Sequence, residues 1–205
     1  MRALLLVAGV AVLAATWLGP LPALARPTFA AHMAMHMAVV ALAAPLLALA
    51  VAGASRDPVR AAPLLFAPIP ASMLEGAVVW TWHAPALHHF ARHGTAGIFV
   101  EQGSFLAAGL LLWLGALGGR SLAGSSRTAA GCLALLLTFM HMTLLGVLLA
   151  LAPRAIFAHG ESALADQHAG GVIMLIGGFA YLAGGVRLAA VLVRKRATPG
   201  ADRAG

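Results

Sequence analysis

Residues 31–40 read AHMAMHMAVV, and two histidines and three methionines fall within six of those positions. His32 and His36 are four residues apart. On a helix they stand one turn apart and about 40° apart around the axis, so both rings can face one point. Met33 and Met35 lie to either side of the pair, and Met37 points further round, towards packing. Imidazole with thioether is a soft, neutral donor set that suits Cu(I), and imidazole alone also suits Cu(II) and Zn. The plainer reading has helix-start histidines meeting interfacial water while methionines fill packing gaps. Two histidines in register among methionines favour a metal over that reading, with Met33 and Met35 as auxiliary donors.

The other chemistry-bearing residues add to this pair unequally. Met140-His141-Met142 repeats the composition, but neighbours on a helix diverge by about 100°, so these three cannot share one ion. His141 and Glu75 are ionisable groups inside apolar segments, where such groups are expensive and face the bundle interior. Each reads as a deep ligand, a proton relay or half of a buried hydrogen-bonded pair. Trp80-Thr-Trp-His-Ala-Pro85 has an aromatic belt, a histidine and a proline that ends the helix. Its place facing His32 and His36 makes His83 a further candidate ligand. His88, His89 and His93 follow Pro85 and read as solvated loop residues, with room for one of them to capture metal. Glu101 has Ser104 one turn deeper on its own face, and Asp166 opens the last apolar segment, followed by His168. Asp166 suits an N-cap. Either acid also suits orienting a ligating histidine through its second ring nitrogen.

The elements that must hold these residues are membrane helices. Of 205 residues 61% are hydrophobic and 9% charged, with a mean hydropathy of +0.93, whereas a soluble domain is nearer half apolar and a quarter charged. Six stretches have the roughly 20 apolar residues a span needs: 3–19, 31–52, 64–82, 95–117, 129–152 and 169–192. Arg56-Asp57-Pro58, the Gly/Ser-rich run 118–127 and Pro153 separate them. Glycines at 170/171, 177/178 and 184/185 repeat every seven residues and allow close helix packing. The expected fold is all-α, a polytopic bundle of about six transmembrane helices forming one unit over 1–193, with a polar cytoplasmic tail over 194–205. Residues 1–25 also fit a cleavable signal peptide, which would leave five helices. Cys132 is the single cysteine, so no disulfide framework and no Cys-x-x-Cys site exists.

Charge fixes the expected orientation. With the N-terminus inside, ten of the thirteen basic residues fall on the cytoplasmic side, and only Arg26, Arg92 and Arg154 on the outer side. The formal charge of +7 is therefore a topology signal with some attraction to anionic lipid, and not a nucleic-acid footprint. The same orientation places eight of the nine histidines at the outer face (His159 and His168 in its last loop) and His141 near mid-membrane. An extracytoplasmic polar site follows.

Four motifs together resemble one family. His32-Met33-x-x-His36-Met37, Trp82-His83-x-Pro85, Glu101 followed by Phe105, Gly109 and Trp113, and Asp166-Gln167-x-x-Gly170 with Met174 look like the signatures of the multi-span CtaG group of cytochrome c oxidase assembly factors. The match covers roughly residues 30–180, and that order of four motifs is far more specific than any one. The resemblance implies a multi-pass protein of the bacterial plasma membrane that matures haem–copper oxidase. Copper is the implied metal, and oxidase subunits and periplasmic copper chaperones are the implied partners. It carries the functional expectation onto His32, His36, His83, Glu101 and Asp166. The chain departs from the pattern in having Glu101-Gln102 for Glu-His and Asp166-Gln167-His168 for Asp-Gln-Gln.

Nothing in the sequence resembles a hydrolase triad, a phosphate-cradling loop or a nucleotide site, and the expected role is non-catalytic. The leading expectation is copper held on the outer face and passed to an oxidase subunit. A copper transporter and a b-type haem electron-transfer protein are the competing readings. The first needs polar groups continuing inward, and the second needs facing histidines in an apolar pocket.

Overall fold

The computed structural model describes residues 1–55, 57–157 and 162–197, so Arg56, His159 and the chain after Ala197 lie outside the described residues. The fold is entirely helical among them. In order the helices are α1 (Arg2–Leu18), a short α2 (Leu21–Leu24), α3 (Phe29–Met37), a π-helical turn (Ala38–Ala43), α4 (Ala44–Val51), a short α5 (Pro58–Ala61), α6 (Pro68–Trp82), α7 (Pro85–His93), α8 (Thr95–Leu117), α9 (Arg120–Ala150) and α10 (Ala163–Ala197). Four helical stretches are long and apolar enough to cross a membrane: Phe29–Val51, Thr95–Leu117, Gly124–Ala150 and Ala163–Ala197. The other two expected spans are helices, but shorter.

Proline sets one of those lengths. Ala67 is extended and Pro68 occupies the first turn of α6, so the helix starts four residues later than residue 64, and His83 caps its end. Its 15 residues rise about 22 Å, less than a bilayer core of about 30 Å. At the C-terminus the correction runs the other way. Basic residues in a last turn favour the helix dipole, and α10 carries Arg194, Lys195 and Arg196 within its last turn to Ala197, where the sequence suggested a tail from residue 194.

The span of α3 and α4 is one rod with a π turn between them. The N–H of Ala44 donates to Val39 instead of Val40, and the next residue is Pro45, which has no N–H to give. The Val40 carbonyl is thereby left without a helical donor. Trp113 Nε1 donates to it at 2.9 Å and the Tyr181 hydroxyl at 3.3 Å. Those two rings stack at 5.2 Å, so the π turn anchors α8 and α10 to the centre of the bundle.

Helix α10 packs against both α9 and α3. A Cβ on Gly171 would lie 2.5 Å from the backbone nitrogen of Ala150 and 2.8 Å from the Gly146 carbonyl, and one on Gly177 would strike the Met37 sulfur. The paired glycines thus serve different neighbours: Gly170 and Gly177 face α3, Gly171, Gly178 and Gly185 face α9, and Gly184 sits between Leu135 of α9 and Trp113 of α8.

At one end of the bundle, Asp57 accepts from the backbone N–H groups of Gly53 (2.7 Å), Val59 (3.0 Å) and Gly119 (3.0 Å), closing α4, α5 and the turn before α9 onto one carboxylate. Burial raises that carboxyl, but the three donors outweigh it and hold it below its ordinary range. The opposite end is formed by the starts of α3, α8 and α10, the end of α6, and α7. It carries His32, His36, His83, His88, His89 and His168.

Candidate metal centre

The start of α3 is fixed from another helix. Its N-cap residue, Thr28, makes no capping bond and donates its hydroxyl to the Leu24 carbonyl at 2.8 Å. The Asp166 carboxylate takes over, accepting from Phe29 N at 2.6 Å and Ala30 N at 3.1 Å. Asp166 stands in the first turn of α10, yet it caps α3, with both oxygens engaged. Phe29 stacks on Phe157 at 4.6 Å. Together these contacts set the rotation of the turn that bears His32.

From there the imidazoles form a chain of close neighbours. The rings of His32 and His88 meet edge to face at 4.8 Å, His32 and His83 lie 6.1 Å apart, and His83 and His36 lie 5.7 Å apart. Phe105 packs on His36 at 4.0 Å. Glu101 brings Oε2 to 3.7 Å from His32 Nδ1. One donor atom from each of His32, His88 and Glu101 lies within 4.8 Å of the others.

What sets this cluster apart is unmet hydrogen bonding. Both ring nitrogens of His32 and of His36, His83 Nε2, His88 Nδ1 and Glu101 Oε1 are buried without a partner. Each such atom costs about 1–3 kcal/mol when left unsatisfied. With Arg92 Nε beside them they are far more than a packed core tolerates, and these seven are donors of the kind that bind metal. The His83 ring is also oriented. Its Nδ1 is 2.7 Å from the Val79 carbonyl, which can only accept, so Nδ1 carries the proton and Nε2 keeps its lone pair for the interior.

Burial pushes His83 down to about 4 and His88 down to about 3; the positive charge of Arg92 adds to both, and the Val79 bond opposes the shift at His83. Both rings are therefore neutral at neutral pH. The sign for stability follows from linkage. An unfolded chain protonates these histidines near their ordinary 6.5, whereas the folded chain does so only near 4 and 3. Stability is full above about pH 6.5 and declines as pH falls towards 3. Metal-free protein in detergent is expected to melt at progressively lower temperature from pH 7 to pH 4, while His83→Gln/His88→Gln protein shows a flatter profile. Identical profiles would contradict these depressed values.

Around Glu101 the other contacts are specific. Arg92 donates to Oε2 at 2.8 Å and to the Ala25 carbonyl at 2.8 Å. Gln102 Nε2 donates to the same Oε2 at 3.3 Å, and Trp17 Nε1 to Gln102 Oε1 at 3.4 Å. Ser104 donates to the Glu101 carbonyl at 2.7 Å and accepts from Trp82 Nε1 at 2.8 Å. Gln102 thus braces the carboxylate.

Several sequence candidates lie elsewhere. His141 Nε2 pairs with Glu75 Oε2 at 2.9 Å, and Tyr181 donates to Glu75 Oε1 at 3.5 Å, forming a separate buried cluster. His168 Nε2 bonds the Ala152 carbonyl at 2.9 Å. Met33 packs towards Gly170 and Met37 towards Gly177. Met35 lines a cavity of about 340 Å³ with Trp17, Phe99 and Gln102. The methionines of AHMAMHMAVV therefore diverge from one another. His88, which the sequence placed in a solvated loop, and Arg92 join the centre instead. Pro85 carried the missed signal, because a proline that ends one helix also suits the first position of the next. On α7, His88 is then followed by Ala91 and Arg92 on one inward face, with His89 and Phe90 outward.

No curated protein and no solved structure matches the chain. The family model described as cytochrome c oxidase caa3 assembly factor (Caa3_CtaG) matches residues 1–196, and the chain belongs to that family.

Proposed function

We propose that this assembly factor binds copper at the histidine end of the bundle and passes it to a subunit of the oxidase. The observation that carries the reading is the convergence of buried imidazole nitrogens, with one carboxylate oxygen, that have no hydrogen-bond partner. Neutral imidazole suits copper in either oxidation state. His32, His88 and Glu101 would hold the ion, with His83 and His36 as the adjoining donors. Two or three neutral ligands with further donors adjoining suit an exchanging site better than a closed cage, as delivery requires. Copper here is cargo, and the protein's part is to bind, shelter and release it without catalysis.

The charge distribution supports placing this end outside the cytoplasm. Arg2, Arg60, Arg127, Arg187, Arg194, Lys195 and Arg196 belong to the other end of the fold. In this reading the protein lies in the bacterial plasma membrane with both termini inside. Oxidase subunits and periplasmic copper chaperones meet it from outside. Metal analysis and an absorption spectrum of purified protein test the reading. Near-stoichiometric copper without a Soret band is expected, and haem without copper would overturn it.

A further inference from the structure

The carboxylate of Glu101 is shared in an uneven way. Oε2 receives Arg92 at 2.8 Å, Gln102 at 3.3 Å and the approach of His32 at 3.7 Å, while Oε1 has no partner. An ion can therefore reach Oε1 without displacing the guanidinium from Oε2. Arg92 is well placed to stay. Its side chain is 8% exposed, Glu101 is fully buried, and a second bond to the Ala25 carbonyl holds the guanidinium from the other side. Guanidinium cannot lose its proton to relieve a nearby cation.

The charge balance of the donor set follows. Ligating imidazoles are neutral, Glu101 contributes one negative charge and Arg92 one positive charge, so the set sums to zero before an ion enters. A monovalent ion brings the sum to plus one and a divalent ion to plus two. In a buried site each added charge weighs far more than in water. Building on the metal-site reading, we propose that Arg92 is a selectivity residue: a fixed countercation that makes this centre favour a soft monovalent ion over divalent ions.

The test compares affinities for Ag(I), a redox-stable stand-in for Cu(I), and Zn(II), using full-length protein in detergent. Arg92→Gln makes the set more negative by one charge, and the Zn(II)-to-Ag(I) affinity ratio is expected to rise at least about tenfold. Glu101→Gln makes it more positive, and the ratio is expected to fall. Arg92→Gln/Glu101→Gln restores the sum, and the ratio is expected to return towards the wild-type value. Arg92→Lys keeps the charge and is expected to change the ratio by less than about threefold. Should Arg92→Gln fail to accumulate folded, Arg92→Leu, which likewise removes the charge and leaves every proposed ligand in place, carries the same expected rise in the ratio. A ratio that ignores charge across the variants, with wild-type protein binding Ag(I), would overturn the role of Arg92 alone. Wild-type protein that binds neither ion would overturn the metal site itself.

Discussion

Protein carrying both His32→Ala and His36→Ala is expected to stay folded, to lose its copper and to leave the oxidase unmatured. The physical basis is an imbalance in what these side chains contribute. Both are fully buried, yet none of their four ring nitrogens has a hydrogen-bond partner. Truncating them leaves a cavity, which costs stability. It also removes four unsatisfied buried polar atoms, each worth about 1–3 kcal/mol in the opposite direction. These effects offset, so the fold survives where a typical core truncation would threaten it. For the metal there is no such offset. Loss of an outer partner alone costs roughly 10–100-fold in metal affinity, and loss of a direct ligand together with an adjoining donor costs more. Metal content of purified protein, and oxidase activity in cells relying on the variant, read the two effects. Full copper content together with normal oxidase would refute the site.

The opposite result is expected one level deeper. His141→Leu leaves the buried Glu75 carboxylate with only the long bond from Tyr181. Breaking a buried pair on one side costs about 3–5 kcal/mol, because the remaining group keeps its desolvation penalty. Glu75→Leu/His141→Leu removes both polar groups and is expected to recover most of that loss. Copper per folded molecule should be unchanged in both variants. Thermal unfolding in detergent beside metal analysis separates the two roles. If His141→Leu shed copper at undiminished stability, His141 would be a ligand and the pairing with Glu75 incidental.

The sequence carried the architecture further than the site. Hydropathy alone located the long helices, because a membrane demands long apolar runs and little else. Histidines at i and i+4 were legible as one face for the same reason of periodicity, and both rings lie beside His83. Other features required knowledge of tertiary neighbours. Asp166 looked like the cap of its own helix, and nothing local says that its oxygens reach two N–H groups 136 and 137 residues away. His88 was hidden by the shortness of α7, whose nine residues mix polar and apolar pairs with no long apolar run. Arg92 could be counted as an outer loop charge until Glu101 was seen beside it. The methionines were only partly legible. A thioether near a histidine in sequence stands well around the helix from it in space; Met33 packs against Gly170, and Met37 packs against Gly177 as its position suggested.

The π turn at Ala38–Ala43 gives the α3–α4 span two independent phases. One residue of α-helix turns the chain by about 100°, and a π turn absorbs an extra residue without breaking the rod. Above it, the helix is indexed to present His32 and His36 towards α6 and α7. Below it, the helix is indexed to seat Leu47 against Gly9 of α1. Like a coupling between two shafts, the turn lets the half that holds the ion be aligned separately from the half that holds the bundle. A substitution that re-aims one half need not disturb the seating of the other.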